Sequence, residues 1–226
     1  MLYLLDTGNL ESIKRAYNLY PIHGVTTNPT IISKEGRNFL DILRDIREIV
    51  GMESMLHVQV LSMDGKEMVK EGEYLNKAIG GNLYIKVPVI PEGIRAIKIL
   101  KDKGIKTTAT AIFTAQQALM AAMAGAEFVA PYVNRIDNVS GDGVRVVGEI
   151  LQLFKHYNLD AKVLAASFKN LQQVHSVSLT GAQSITASPE ILDKILEHPL
   201  TDWCVNKFIS DWESVYGREK LTLDVK

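Results

Sequence analysis

The chain has 226 residues, of which 46% are hydrophobic and 23% are charged, and its formal net charge is −1. This is the composition of a globular protein whose length suits one α/β domain, and it excludes disordered, fibrous and strongly basic nucleic-acid-binding classes. The single cysteine, Cys204, excludes an internal disulfide framework and favours a reducing compartment.

The first residues carry no basic leader, and no apolar run approaches the length of a membrane span. We therefore expect a cytoplasmic protein that binds neither nucleic acid nor a membrane.

Apolar runs typical of strands alternate with amphipathic stretches typical of helices along the chain. The predicted strands are residues 3–7, 24–29, 55–61, 83–89, 107–113, 128–133, 162–168 and 184–187. The predicted helices are residues 10–19, 39–50, 65–79, 93–103, 115–124, 143–157, 171–179 and 189–197. Eight such units favour a single-domain (β/α)8 TIM barrel, of the α/β class, over an open doubly wound sheet.

A further amphipathic helix is predicted over residues 201–217, beyond the eighth unit. We expect a barrel domain over residues 1–200 and a C-terminal helix and tail over residues 201–226. The apolar face of this helix can fold back on its own barrel or pack on a neighbouring subunit, and we favour the neighbour.

Lys86 lies in the middle of the predicted fourth strand, among Ile85, Val87 and other apolar residues. A buried ammonium is costly, so burial favours the neutral amine, which is a nucleophile able to form a Schiff base with a ketone or aldehyde. The other interpretation is a lysine at a strand end that reaches solvent or pairs with a carboxylate.

Polar residues occur at or near the end of almost every predicted strand. In a TIM barrel these ends converge on one mouth, where the chemistry takes place. Each has an alternative explanation when taken alone: Asp6 and Ser167 as helix caps, Asn28 as a turn residue and Thr110 as a good strand former. The candidates are Asp6, Thr26, Asn28, Gln59, Lys86, Thr110, Tyr132, Arg135 and Ser167.

An amine catalyst needs a proton shuttle and a held water molecule close to the amine. Gln59 and Thr110 can orient that water, Tyr132 can donate and accept a proton, and Asp6 is the candidate acid/base for carbon–carbon bond cleavage.

Arg135 has a planar guanidinium suited to a phosphate group, and Ser167 offers a further donor. The alternative for Arg135 is an ion pair with Asp137 or Asp142.

We predict no metal and no organic cofactor. The five histidines form no metal-ligand pattern at short spacing, and no glycine-rich dinucleotide or nucleoside triphosphate loop occurs. Strand alternation puts His57 and Gln59 on the same face, so His57 is expected to line the barrel interior.

Five stretches carry a resemblance to a known family: Asp6-Thr7 and residues 24–29, 84–88, 130–136 and 163–169. Together they resemble the small transaldolase-like family, most closely its fructose-6-phosphate aldolases, over nearly the whole chain. The resemblance implies a (β/α)8-barrel class I aldolase. It also implies decamers of two pentameric rings, in which the C-terminal helix reaches a neighbouring subunit.

The resemblance also implies roles for individual residues. Lys86 would form the Schiff base, Asp6 would transfer the proton at the hydroxyl of the cleaved carbon, and Thr26 with Asn28 would orient the bound dihydroxyacetone unit. The residues implied to hold the catalytic water are Gln59, Thr110 and Tyr132, and those implied to bind the phosphate of the aldehyde partner are Arg135 and Ser167.

Within this family the transaldolases carry Glu where this chain has Gln59 and Phe where it has Tyr132. The resemblance therefore implies cleavage of fructose 6-phosphate to dihydroxyacetone and glyceraldehyde 3-phosphate. The alternatives are a transaldolase that transfers the dihydroxyacetone unit between sugar phosphates and a noncatalytic or isomerising phosphosugar-binding barrel. Thr108 and Ala109 depart from the aldolase pattern, which leaves the donor and acceptor range open.

Overall fold

The computed structural model describes residues 1–225, and its strands form a closed parallel barrel in chain order. This confirms the predicted (β/α)8 TIM barrel. The strands are β1 Leu2–Asp6, β2 Ile22–Thr26, β3 Met55–Gln59, β4 Leu83–Pro88, β5 Thr107–Ile112, β6 Phe128–Pro131, β7 Lys162–Ala165 and β8 Ser184–Ala187.

Helices follow the strands and surround the barrel. Within the described residues they are α1 Leu10–Leu19, α2 Pro29–Lys34, α3 Phe39–Val50, α4 Gly65–Ile79, α5 Pro91–Asp102, α6 Ala115–Ala124, α7 Val133–Asp137, α8 Gly143–His156, α9 Leu171–Leu179, α10 Pro189–Asp193 and α11 Pro199–Tyr216. A short 3₁₀ helix covers Thr222–Asp224.

Two short helices, α2 and α7, were not expected from the sequence. Both begin within three residues of the end of a strand, and the predicted strands extended into their first residues. The sixth strand ends at Pro131 and not at Val133, because Val133 starts α7 and is buried there with Ile136. An apolar residue buried by a short helix has the same appearance in the sequence as the last residue of a strand.

The inside of the barrel near the amino ends of the strands is apolar. Five buried side chains from different strands pack together there: Leu4, Met55, Tyr84, Phe128 and Leu164. His57 joins this layer, with its ring stacked on Tyr84 at a centroid distance of 4.6 Å and edge-on to Phe128 at 5.4 Å. The expected interior position of His57 is therefore confirmed, and the polar residues lie further along the strands, towards the mouth.

The chain divides into two compact units, residues 1–191, which contain the barrel, and residues 192–226. Within the described residues, no helix is long and apolar enough to cross a membrane.

Candidate active site

A cavity lies at the carboxyl ends of the strands. It brings together all of the predicted site residues except Gln59 and Thr110, which lie beside it. The predicted residues that line it are Asp6, Thr26, Asn28, Lys86, Tyr132, Arg135 and Ser167, and they are joined by Ala130, Leu164, Ala166 and Thr186. The strand ends therefore converge on one cavity, as predicted from the sequence.

Lys86 projects from β4 and is only 5% exposed. Its Nζ donates a hydrogen bond to the carbonyl oxygen of Thr27 at 2.8 Å. Among the described residues no carboxylate lies within ion-pair distance of it. The interpretation of Lys86 as a solvent-reaching or salt-bridged lysine is therefore wrong, and Lys86 instead lines the cavity.

Gln59 is the partner of Lys86 in the register between β3 and β4. Partners on neighbouring strands project on the same side of the sheet, so the Gln59 amide lies next to the lysine inside the barrel. The role predicted for Gln59, holding a water molecule near the amine, stays a prediction.

The Tyr132 hydroxyl lies 2.9 Å from the Thr110 hydroxyl, and Thr110 is fully buried. The register between β5 and β6 shifts between Ala109 and Ile112, and Ala111 has a φ of 58°. A bulge of this kind redirects neighbouring side chains and is common next to active sites. The bulge in β5 therefore includes Thr110, whose hydroxyl contacts the Tyr132 phenol at the cavity wall.

Thr26 links the carboxylate of Asp6 to β8. The Thr26 hydroxyl donates a hydrogen bond to Asp6 Oδ1 at 2.7 Å. The hydroxyl oxygen of Thr26 also lies 2.6 Å from the hydroxyl oxygen of Thr186. Asp6 therefore faces the cavity at the end of β1 as a carboxylate hydrogen-bonded to Thr26, which in turn contacts Thr186.

Asn28 has a structural role as well as a place in the cavity. Its Oδ1 accepts a hydrogen bond from the backbone N–H of Ile31 at 3.0 Å and so caps the amino end of α2. With the side-chain oxygen used in this way, the amide N–H₂ is the group that Asn28 can offer to a ligand.

Arg135 lies on α7 with its guanidinium 5.0 Å from the centre of the Tyr132 ring. The alternative, an ion pair of Arg135 with Asp137 or Asp142, does not occur among the described residues, and both acids have other partners. Asp137 accepts from Gly143 N–H and Gln173 Nε2, and Asp142 caps α8.

Ser167 follows β7 with a left-handed φ of 63°. The helix cap proposed for it belongs instead to Asn170, whose side chain accepts from the first turn of α9. The Ser167 carbonyl accepts from the backbone N–H of Asn134 on α7 at 2.8 Å, and Ser167 and Arg135 both line the cavity. The two residues together form the part of the cavity best suited to an anion.

His57 lies beneath the polar layer and is fully buried. Its Nδ1 lies 2.8 Å from the hydroxyl of Thr108, and its Nε2 has no hydrogen-bond partner within the described residues. Burial, and secondarily the charge of Lys86, hold the pKa of His57 well below its usual 6.5. His57 is therefore a neutral ring in the floor of the site.

Two contributors to the site were missed by the sequence analysis. The Thr27 carbonyl is a backbone group, and no side-chain pattern indicates it. Thr186 lies one residue before the end of β8 and could have been found by the same strand-end rule that found the others. Within the described residues, no group of three or more His, Cys, Asp or Glu side chains is arranged to hold a metal.

The model of the transaldolase/fructose-6-phosphate aldolase family matches residues 3–220. The chain belongs to this family. The family includes both transaldolases and fructose-6-phosphate aldolases, so membership does not distinguish the two reactions.

Solved structures of other proteins share the fold. A doubly substituted flavocytochrome b2 with sulfite bound matches with a TM-score of 0.60 at 14% identity, over 83% of this chain and 56% of that one. A mandelate oxidase variant with a monooxide FMN adduct matches with a TM-score of 0.56 at 12% identity, over 84% of this chain and 64% of that one. This chain thus spans less than two thirds of either protein, and at such low identity the similarity shows the barrel fold alone.

Proposed function

We propose that this chain is a class I aldolase that reversibly cleaves fructose 6-phosphate to dihydroxyacetone and glyceraldehyde 3-phosphate. The observation that carries the proposal is Lys86, a buried amine facing the cavity with a single backbone carbonyl as its hydrogen-bond partner. Family membership supports the chemistry, and the Tyr132 hydroxyl favours cleavage over transfer.

In the first step Lys86 Nζ attacks the C2 carbonyl of the ketose and forms a carbinolamine. Loss of water then gives an iminium, in which the nitrogen carries the positive charge. A water molecule between Gln59, Thr110 and Tyr132 can pass the proton that converts the C2 hydroxyl into the leaving water.

In the second step Asp6 accepts the proton of the C4 hydroxyl. The electron pair of the C3–C4 bond moves into the iminium and produces a neutral enamine, while C4 becomes the aldehyde carbon of glyceraldehyde 3-phosphate. Thr26 donates to Asp6 Oδ1, which leaves Oδ2 for the substrate hydroxyl. Arg135 and Ser167 would hold the departing phosphate-bearing fragment.

In the third step a proton is added to C3 of the enamine, which restores the iminium. Water then attacks C2, and dihydroxyacetone leaves as Lys86 regains its free amine. Tyr132, hydrogen-bonded to Thr110 at 2.9 Å, is the group we assign to give this proton, and the proton that Asp6 accepted in the second step returns through water to the phenolate. A phenylalanine there could not deliver the proton, and the enamine would wait for an acceptor aldehyde. This reasoning favours the aldolase over the second candidate, the transaldolase.

The proposal is tested by reducing the enzyme with borohydride in the presence of dihydroxyacetone and mapping the modified peptide by mass spectrometry. Reduction converts the iminium into a stable secondary amine, and we expect the adduct on Lys86. The Lys86→Ala protein should form none and release no product. Lys98→Met, which removes an exposed lysine on α5, should label and turn over as the parent does. Absence of an adduct in the parent would favour the noncatalytic phosphosugar-binding barrel.

A further inference from the structure

Thr186 is a cavity residue to which neither the sequence motifs nor the mechanism above assigns a role. It is the penultimate residue of β8, is 2% exposed, and lines the cavity that contains Lys86 and Asp6. Strand β1 lies between β2 and β8 in the barrel, so Thr26 and Thr186 reach each other across the inner face of β1. Their hydroxyl oxygens are 2.6 Å apart.

The number of hydroxyl protons determines which residue is the donor in the hydrogen bond between Thr26 and Thr186. A threonine hydroxyl has one proton to donate and two lone pairs that accept. Thr26 donates its proton to Asp6 Oδ1, since an ionised carboxylate can only accept. Thr186 must therefore be the donor in its contact with Thr26. The three residues form a chain in which each hydrogen bond points towards Asp6.

We propose that Thr186 is a positioning residue that acts on Asp6 through Thr26. Its hydrogen bond occupies a lone pair of Thr26 and prevents the Thr26 hydroxyl from rotating away from Asp6. Asp6 Oδ1 is then held, and Oδ2 stays directed at the substrate hydroxyl whose proton it accepts. Hydrogen bonds in a chain also polarise one another, so the donation from Thr186 strengthens the bond that Thr26 makes to the carboxylate. This inference rests on the proposed aldolase function, because it assigns Thr186 to the proton-transfer step of that reaction.

The test substitutions are Thr186→Val, which keeps the shape and removes the hydroxyl, and Thr186→Ser, which keeps the hydroxyl. We expect Thr186→Val to lower kcat for fructose 6-phosphate about tenfold, as loss of one hydrogen bond used in the transition state does, with KM changed less than about threefold. Thr186→Ser should recover most of the loss. Borohydride trapping of dihydroxyacetone on Lys86 should remain at the parent level in Thr186→Val, because the Thr186 hydroxyl bonds Thr26, whereas the Lys86 amine bonds the Thr27 carbonyl.

Ser184→Ala provides a matched control. Ser184 lies two residues earlier on the same strand, is fully buried, and donates to the carbonyl of Val163 at 2.8 Å. Removing this hydroxyl perturbs β8 without touching Asp6, so kcat should stay within about twofold of the parent. An equal loss of kcat in Ser184→Ala and Thr186→Val would show that Thr186 supports only the strand, and would overturn the proposal.

A double-mutant cycle with Thr26→Val tests whether Thr186 acts through Thr26. Once Thr26 has no hydroxyl, Thr186→Val should change kcat no further. If the kcat loss of the double variant equals the product of the two single losses, Thr186 does not act through Thr26, and the proposal fails. A parent-like kcat in Thr186→Val would also contradict it. A parent enzyme that forms no borohydride adduct would instead overturn the aldolase function, and this inference with it.

Discussion

At the mouth of the barrel, several side chains are fixed by a hydrogen bond that also determines which of their groups remains for a ligand. Asn28 uses its oxygen as a helix cap and keeps its amide N–H₂ for the cavity. Tyr132 is fixed by Thr110, and Lys86 by the Thr27 carbonyl. Such prior positioning lowers the cost of ordering these groups when a substrate binds.

Arg135 is the residue whose proposed role is most easily separated from the chemistry at the lysine. We expect Arg135→Ala to raise KM for fructose 6-phosphate about 10- to 100-fold, because a charge-assisted contact to phosphate contributes about 1.5–3 kcal/mol. Cleavage of unphosphorylated fructose should be unchanged. Steady-state kinetics with both sugars measure the difference.

The control for this prediction is Arg145→Ala on α8, where an exposed arginine lies 3.4 Å from Glu149. It should leave both substrates unaffected. Because the guanidinium of Arg135 also lies over the Tyr132 ring, an equal loss for both sugars would mean that Arg135 acts by holding Tyr132.

His57 connects the site to the pH dependence of stability. Its folded-state pKa lies well below 6.5, so between 6.5 and that pKa the unfolded chain binds a proton that the folded chain does not. His57 therefore does not lower the unfolding free energy above pH 6.5. Below pH 6.5 it lowers the unfolding free energy as the pH falls, by up to about 1.4 kcal/mol per pH unit. Below pH 6.5, the unfolding free energy of His57→Asn should fall less steeply with decreasing pH than that of the parent, by up to about 1.4 kcal/mol per pH unit.

Urea denaturation at several pH values measures this slope. The control is His156→Gln, since His156 is exposed at the end of α8. If the unfolding free energy depends on pH in the same way in His57→Asn and in the parent, position 57 does not hold a buried neutral ring.

At the scale of elements, the alternation of strands and helices was predictable from the sequence, because each strand is a short apolar run between turn residues. The helices α2 and α7 were not predicted, because 6 and 5 residues are too few to establish a helical period. Strand ends were overextended for a related reason. Leu61 follows β3 as an apolar residue but is 70% exposed, so its hydrophobicity does not reflect burial.

Some parts of the site could be predicted from the sequence, and others could not. Residues at strand ends were found because barrel geometry makes their convergence a general rule, whatever the sequence. The Thr27 carbonyl and the proton direction in the chain from Thr186 to Asp6 depend on three-dimensional contacts, which residue types alone do not specify.

The pairing of β2 with β3 depends on a close approach at Gly24. A Cβ at this position would lie 2.4 Å from the carbonyl oxygen of Met55, its register partner. We expect Gly24→Ala to lower the unfolding free energy by about 1–3 kcal/mol or more, since backbone cannot move aside as a flexible side chain can. Gly148→Ala provides the contrast, because a Cβ there meets nothing within 4 Å. It should stabilise α8 by up to about 1 kcal/mol. Gly24→Ala with parent stability in urea would contradict this packing account.

For the molecule as a whole, the feature without an internal explanation is α11 in the unit formed by residues 192–226. Within the described chain no residue of α11 is buried, and Trp203 and Phe208 are 63% and 68% exposed. Apolar area of this kind typically marks an interaction surface. We retain the prediction that this helix packs on another copy of the chain, in the decamer that the family resemblance implies.

Light scattering coupled to size exclusion tests that prediction. The parent should elute as an assembly, and Phe208→Glu should reduce its mass because the new carboxylate would be buried without a partner. Asn206→Glu adds the same charge at an exposed polar position of α11 and should not. A monomeric parent, or a Phe208→Glu protein of unchanged mass, would show that α11 has another role.

The most direct test of the central claim is the release of free dihydroxyacetone from fructose 6-phosphate, measured with and without erythrose 4-phosphate as acceptor and with Lys86→Ala as the blank. The account predicts release without any acceptor, and a lower ratio of release to transfer in Tyr132→Phe. Product that forms only when the acceptor is present would make the enzyme a transaldolase and would contradict the roles given to Gln59 and Tyr132.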